Sequence, residues 1–144
     1  MKKIVFVCLG NICRSPMAEF VMKELDQEKS LHIESRATSS WEHGNPVHQG
    51  TQTILRKYAI SFDSSKGSQQ ISQADFEFFD LVVGMDESNV EDLLQISAGH
   101  YDDKIKLFRP GGVPDPWYTG DFEETYKLVT AGCRDWLQWI KDRQ

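Results

Sequence analysis

A cysteine and an arginine six positions apart stand in the segment of this chain best suited to phosphate chemistry. Cys8 ends an apolar run, and Arg14 precedes Ser15, Pro16 and a helical pattern. A thiolate is a strong nucleophile, and the planar guanidinium of arginine matches two oxygens of a phosphate group. The spacing therefore predicts a phosphate-binding loop that holds a nucleophile, and with it hydrolysis of a phosphomonoester through a cysteinyl-phosphate.

The flanking residues indicate how such a loop would form. The β-branched and aromatic run Ile4–Val7 predicts a buried parallel strand, and the apolar residues from Ala18 to Leu25 recur at helical spacing. We expect Ser15 to cap this helix and Pro16 to take its first position. Backbone N–H groups in a strand-to-helix turn converge on an anion. The predicted loop comprises Leu9, Gly10, Asn11, Ile12, Cys13, Arg14 and Ser15.

A second segment supplies a candidate acid. Thiolate attack expels an oxygen leaving group, and a general acid must protonate that oxygen. The same side chain must later act as a base that activates water. Asp115 lies between Pro114 and Pro116, and these prolines keep the segment out of a helix. Trp117 and Tyr118 follow and would wall a slot for a flat substrate. Asp115 is therefore the predicted general acid and base.

Three segments resemble the low-molecular-weight protein tyrosine phosphatases: Cys8–Glu19, Met85–Asn89 and Asp115–Tyr118. Their order and spacing match over nearly the whole chain. The resemblance implies a doubly wound α/β fold with four central parallel strands. It also implies that Cys8 is the nucleophile, that Arg14 clamps the phosphate and stabilises the transition state, and that Asp115 acts as acid and then base.

The resemblance extends to supporting positions. It implies that Asn11 and Ser15 hold the loop and the thiolate, and that Ser35 and Asp86 buttress the loop. Trp41 matches an aromatic wall opposite Trp117 and Tyr118. The chain departs from the family at two places. Tryptophan stands at position 117, where tyrosine is common, and the segment Ser64–Gln70 lacks the histidine or arginine that braces the loop in many members, which predicts a less rigid loop.

The order of predicted elements alternates strand and helix, which is typical of an α/β parallel sheet. We predict one domain, residues 1–144, with a four-stranded parallel sheet and helices on both faces. The polar stretch from Ser61 to Gln73 is predicted to be a surface loop with a helical turn. Strands are expected near residues 3–7, 31–37, 79–84 and 104–108, and helices near 16–28, 47–58, 87–96 and 121–142.

Composition excludes several classes of protein. A net charge of −6 argues against a nucleic-acid partner, and no apolar run of about 18 residues could form a membrane span. Three cysteines, an odd number, favour a reducing compartment, the cytoplasm, over a disulfide framework. His43 and His48 lack a third ligand with zinc-like spacing. No metal or other cofactor is therefore expected.

The last helix also allows a prediction about self-association. Cys133 lies in an apolar stripe and is expected to pack in the core. Leu137 and Trp139 lie off that stripe and could form a weak contact surface, so we expect a monomer or weak dimer. Cys8 and Cys13 are five positions apart in the loop, and we expect oxidation to join them reversibly.

Four alternative functions can be weighed against these residues. A protein arginine phosphatase of the same family resembles this chain but carries threonine where Ile12 stands. An arsenate reductase would need two further thiols near residues 75 to 90, and Asp75–Val90 contains none. A phosphocysteine-carrying sugar transfer subunit would not need Asp115, and a phosphotyrosine-binding module would not need Cys8. A phosphotyrosine-containing protein or peptide is therefore the expected partner, with inorganic phosphate as product.

Overall fold

The computed structural model describes residues 2–143, in which four parallel strands alternate with six helices. The strands are β1 (Lys2–Cys8), β2 (Leu31–Ala37), β3 (Leu81–Gly84) and β4 (Ile105–Leu107). The helices are α1 (Arg14–Leu25), α2 (Gln49–Lys57), α3 (Gln73–Phe78), α4 (Glu87–Ile96), α5 (Pro116–Thr119) and α6 (Phe122–Lys141).

The strand order places the end of β1 at the centre of the sheet. The order is β2-β1-β3-β4, and every neighbouring pair is parallel. The chain moves from β1 to one side and then crosses to the other side of it, so the strand order reverses next to β1. Ligands of open α/β sheets bind at such a reversal, beyond the carboxyl ends of the strands. The loop that follows Cys8 and the turn that follows Gly84 both lie there.

Successive side chains of β1 pack alternately into two separate hydrophobic cores. Ile4 and Phe6 are fully buried on one face, in a cluster with residues of α1, α2 and α6. Val5 and Val7 are fully buried on the other face, with residues of α3 and α4. This alternation follows from the two-residue period of a strand. It confirms the predicted doubly wound α/β fold with helices on both faces.

Helix α1 begins and ends earlier than the predicted range 16–28. It starts at Arg14 with Cys13 at the N-cap position, and no side chain caps it. The prediction that Ser15 caps this helix was therefore wrong, and Pro16 occupies the third helical position rather than the first. Proline is still tolerated there, because the first N–H groups of a helix have no intrahelical acceptor. The helix ends at Leu25, and the carboxylate of Asp26 then accepts hydrogen bonds from the next loop.

Two short helices were not predicted. Helix α3 follows Ser72, whose side chain accepts a hydrogen bond from Asp75 N while the Asp75 carboxylate accepts one from Ser72 N, a capping box. The predicted strand from residue 79 starts only at Leu81, because Phe79 ends α3. Helix α5 begins after Asp115 with Pro116 in its first turn, and Gly120 ends it in the left-handed conformation (φ 71°).

The last helix packs as its pattern predicts. Cys133 is fully buried, and its Sγ lies 3.6 Å from the Ala18 carbonyl oxygen. Leu137 and Trp139 are half-buried against the core. Within residues 2–143, no helix has both the length and the apolar character needed to cross a membrane.

Candidate active site

The loop between β1 and α1 wraps around the sulfur of Cys8. Asn11 adopts the left-handed conformation (φ 56°), one that asparagine tolerates better than most residues. This turn allows Asn11 N to donate a hydrogen bond to Cys8 Sγ at 3.3 Å, and Ser15 Oγ lies 3.1 Å from the same sulfur. The loop therefore holds the sulfur of Cys8 next to the N-terminus of α1, which no side chain caps.

One edge of the Arg14 guanidinium is held by the protein. Its Nη1 donates to Asp86 Oδ2 at 2.7 Å and to the Val113 carbonyl oxygen at 2.9 Å. The opposite edge is different, because Nε is buried and has no hydrogen-bonding partner within residues 2–143. Buried N–H groups are almost always paired. Nε is therefore an unused donor that suits a phosphate oxygen.

Charges around Arg14 keep it protonated. Burial alone would lower its pKa, but the negative charges of Cys8, Asp86 and Asp115 outweigh that effect and raise the pKa above the usual value. Asp86 is itself held in place as the N-cap of α4, where its Oδ1 accepts a hydrogen bond from Asn89 N at 2.8 Å. Arg14 is thus fixed in charge and in orientation.

Asp115 lies next to Arg14 although the two are 101 positions apart. Its Oδ1 accepts a hydrogen bond from Trp117 N at 3.0 Å, which makes it the N-cap of α5. Its Oδ2 lies 3.5 Å from Arg14 Nη2. One oxygen therefore orients the carboxyl group, and the other faces the guanidinium and the space above Cys8.

A buried polar network lies under the loop. The side-chain amide of Asn11 donates to Ser15 Oγ at 2.8 Å and to Ser35 Oγ at 3.0 Å. Ser35 in turn donates to Glu19 Oε1 at 2.6 Å, and the Glu19 carboxylate is 7% exposed. Glu19 was not among the predicted site residues. The available signal was an acidic residue between the apolar residues Ala18 and Phe20 of α1.

Lys66 closes this network, in the segment that lacks a histidine or arginine. Its Nζ lies 3.3 Å from Asn11 Oδ1, 3.4 Å from the Ser35 carbonyl oxygen and 3.9 Å from Glu19 Oε1. Burial is the main reason that the pKa of Lys66 is lowered. The segment Ser64–Gln70 thus braces the loop with a lysine instead of the histidine or arginine that many family members have.

Most of the predicted site residues line a single cavity of about 240 Å³. The exceptions are the supporting residues Asn11, Ser15, Ser35 and Asp86, which are not part of its lining. Cys8 and Arg14 are almost fully buried, whereas Trp41, Trp117 and Tyr118 are 78%, 56% and 79% exposed. The reactive groups therefore lie deep, and the three aromatic side chains form the rim. Further lining comes from Leu9, Gly10, Ile12, Cys13, Asp115 and Glu42.

Glu42 was not predicted. It packs over Gly10, where an added Cβ atom would meet Glu42 Cγ at 3.3 Å, and its neighbour Asn45 donates to its carboxylate at 2.5 Å. Nothing in the local sequence distinguishes this residue from an ordinary surface glutamate. Its position gives the rim of the cavity a negative charge.

Cys13 differs chemically from Cys8 although both line the cavity. Burial, and then the negative charge of Cys8, raise the pKa of Cys13 to about 12. Cys13 is therefore a neutral thiol at physiological pH, and all three cysteines are free in this structure.

His48 has a structural role next to the rim. Its Nδ1 accepts a hydrogen bond from Gly50 N at 2.9 Å and caps α2, and its ring stacks on Phe122 and contacts the edge of Trp117. Within residues 2–143 no three His, Cys, Asp or Glu side chains are grouped closely enough to hold a metal ion.

Comparison with known proteins identifies the family. A model of the low molecular weight phosphotyrosine protein phosphatase family matches residues 3–144. The low molecular weight protein-tyrosine-phosphatase YfkJ of Bacillus subtilis is 40% identical over 156 residues, covering 100% of this chain and 99% of the relative. PtpA of Staphylococcus aureus is 38% identical over 148 residues, covering 97% of this chain and 94% of the relative.

A solved structure agrees with these relatives. The crystal structure of SP-PTP, a low molecular weight protein tyrosine phosphatase from Streptococcus pyogenes, has 61% sequence identity and a TM-score of 0.96. The match covers 97% of this chain and 93% of that one. The chain described here therefore belongs to the low molecular weight protein tyrosine phosphatases.

Proposed function

We propose that this phosphatase hydrolyses protein phosphotyrosine through a cysteinyl-phosphate formed on Cys8, with Arg14 as phosphate clamp and Asp115 as general acid and base. The observation that supports this most directly is the Nε of Arg14, which is unpaired within residues 2–143. A buried guanidinium with an unused N–H suits a phosphate group placed in line with Cys8, whose sulfur accepts a hydrogen bond from Asn11 N and lies 3.1 Å from Ser15 Oγ.

In the first step the Cys8 thiolate attacks phosphorus and the bond from phosphorus to the tyrosine oxygen breaks. Asp115 gives its proton to that oxygen, and a tyrosine side chain leaves. The guanidinium of Arg14 and the N–H groups of the loop stabilise the negative charge on the transferring phosphoryl group. The proposed role of Asp115 fits a carboxyl group whose Oδ1 is held by Trp117 N while Oδ2 remains directed into the cavity.

In the second step water attacks phosphorus and the sulfur–phosphorus bond breaks. The Asp115 carboxylate takes the proton of that water, and inorganic phosphate leaves. Ser15 Oγ can donate its proton to the departing thiolate, because Asn11 supplies the hydrogen bond that Ser15 accepts. Ser35 and Asp86 act indirectly, since they hold Asn11 and Arg14 in place.

The shape of the cavity supports an aromatic substrate. Phosphate bound next to Cys8 lies deep, and Trp41, Trp117 and Tyr118 stand at the rim. A phenyl ring is long enough to carry phosphate to that depth and flat enough to lie between aromatic walls. Ile12 supplies an apolar side chain where an arginine-directed member of the family would carry a hydroxyl.

The test compares hydrolysis of phosphotyrosine, phosphoserine and phosphoarginine peptides of one sequence. Cys8→Ser should abolish turnover while vanadate binding persists, because the loop and Arg14 provide the binding. The matched control Cys133→Ala, in the core, should retain activity. Measurable turnover in Cys8→Ser would refute the covalent route. Faster release of phosphate from phosphoarginine would assign the protein to the arginine-directed class.

Three further points are part of this proposal. We infer that residues 1–144 fold as one domain, because the two cores share a single sheet. We infer a monomer or weak dimer, to be measured by sedimentation, with Leu137 and Trp139 as the contact surface. The three free cysteines support a reducing compartment, the cytoplasm, as the place of action.

A further inference from the structure

A second cavity of about 300 Å³ lies beside the catalytic one. Leu9 and Trp41 line both cavities, so the second opens next to the rim that a bound phosphotyrosine would occupy. The far wall comes from α4, which contributes Asp92, Gln95 and Ile96. A peptide that places its phosphotyrosine over Cys8 would therefore bring a neighbouring residue over this second cavity.

The chemistry of the lining is mixed. Leu9, Ile96 and the ring of Trp41 offer apolar surface, and the half-buried carboxylate of Asp92 is the single charged side chain that lines the cavity within the described part of the chain. Lysine and arginine combine a long apolar stem with a terminal cation. A basic side chain matches this lining better than an acidic or a purely apolar one.

Thr38 and Ser39 form another part of the lining. The Thr38 side chain is 7% exposed and its Oγ1 is buried in the protein, so this residue shapes the wall without presenting its hydroxyl to the cavity.

The wall that carries Thr38 is rigidly attached to the catalytic loop. Thr38 N donates to the Cys8 carbonyl oxygen at 2.9 Å. The next residue, Ser39, donates to the Leu9 carbonyl oxygen from its N at 3.2 Å and from its Oγ at 2.8 Å. The second cavity is therefore built to keep a constant position relative to Cys8, as a specificity subsite requires.

We propose that this second cavity is a subsite for a lysine or arginine side chain that lies close to the phosphotyrosine in the substrate protein. The inference rests on the proposed function, since it needs phosphotyrosine at Cys8. The basic side chain would lay its stem against Leu9 and Ile96 and bring its cation to the Asp92 carboxylate.

The test scans one arginine through each position flanking phosphotyrosine in an otherwise neutral peptide, with methionine and glutamate peptides as references. We expect arginine to raise kcat/KM about two- to fivefold over methionine at one position, the range of a partly exposed ion pair. Asp92→Asn should remove this preference without changing hydrolysis of p-nitrophenyl phosphate, which is too small to reach the subsite. Glu91→Gln, an exposed neighbour on the same helix, is the matched control.

An arginine preference that survives Asp92→Asn, or one that Glu91→Gln abolishes equally, would refute the subsite. So would equal kcat/KM for arginine and methionine peptides at every position. Failure of wild type to hydrolyse p-nitrophenyl phosphate would instead refute the proposed function.

Discussion

Replacing Lys66 with methionine tests whether a cation holds the catalytic loop from below. The Lys66 ammonium lies 3.3 Å from Asn11 Oδ1 and 3.9 Å from the buried carboxylate of Glu19. Methionine has a similar unbranched side chain but no charge and no donor. The change therefore removes the contact while leaving most of the volume filled.

The size of the effect follows from what the neighbours retain. A hydrogen bond to a charged group contributes about 1.5–3 kcal/mol, and breaking a buried ion pair outright costs about 3–5 kcal/mol. Here no group loses every partner, since Asn11 Oδ1 keeps the Gln69 N–H at 3.1 Å and Glu19 keeps Ser35 and Lys23. The contacts of Lys66 are also long, so we expect the free energy of unfolding to fall by about 1–2 kcal/mol.

For a chain of this size that loss corresponds to a fall in Tm of about 2–8 °C. If the whole of this free energy is added to the activation free energy, because the loop is misplaced, kcat for p-nitrophenyl phosphate falls by at most about 30-fold. Lys66→Arg, which keeps a cation, should recover most of both quantities. Lys57→Met removes a surface lysine that pairs with Glu123 far from the loop, and it should leave kcat unchanged.

Thermal melts and steady-state kinetics on the four proteins decide the matter. A Tm and kcat for Lys66→Met equal to those of wild type would refute the bracing role. A Lys66→Arg variant as impaired as Lys66→Met would show that shape, not charge, is what the loop requires.

Three further predictions follow from the geometry of the cavity. Asp115→Asn should slow phenyl phosphate by about 100-fold or more and p-nitrophenyl phosphate much less, because only the poorer leaving group needs a proton; a uniform loss would mean that Asp115 only caps α5. Trp41→Ala and Trp117→Ala should each weaken kcat/KM for a phosphotyrosine peptide, by about 0.5–1.5 kcal/mol beyond lost area, with little effect on a small alkyl phosphate; equal effects on both substrates would exclude an aromatic slot. After peroxide treatment and a thiol reductant, wild type should recover most of its activity and Cys13→Ser much less, because the Cys13 thiol condenses with a sulfenic acid on Cys8 to give a disulfide and water. This capture becomes easier once oxidation removes the negative charge of Cys8, one of the causes that raise the pKa of Cys13 to about 12; equal recovery, with no peptide joining the two cysteines in mass spectra, would leave Cys13 a packing residue.

Features that depend on neighbouring residues were readable in the sequence. The strand that leads to Cys8, the helix that follows Arg14 and the buried stripe around Cys133 all match the structure within a few residues. Hydrophobic periodicity and the short spacing between Cys8 and Arg14 report on contacts that form within one turn or one strand. Such contacts depend mainly on residues that are close together in the sequence.

Ser15 shows where a local rule fails. Its type and position predict a helix cap, a preference of about 1 kcal/mol. In the folded chain its hydroxyl lies between Cys8 Sγ and Asn11 Nδ2, both buried, and the helix begins one residue before it instead. Pairing these buried polar groups outweighs the capping preference, because water can bond the N–H groups at the end of a helix when no side chain caps them.

The sequence by itself predicted the α/β fold and the strand, loop and helix that carry Cys8 and Arg14, because these follow from residue types at short spacing. Only the tertiary structure decided which donors of Arg14 are paired, since Asp86 and the Val113 carbonyl reach Nη1 from other strand ends and Nε has no partner within residues 2–143. It also decided that Lys66 braces the loop and that Asp92 stands beside the cavity. These partners are separated from the loop by tens of residues. Their approach depends on sheet order and helix packing, and no local pattern encodes either.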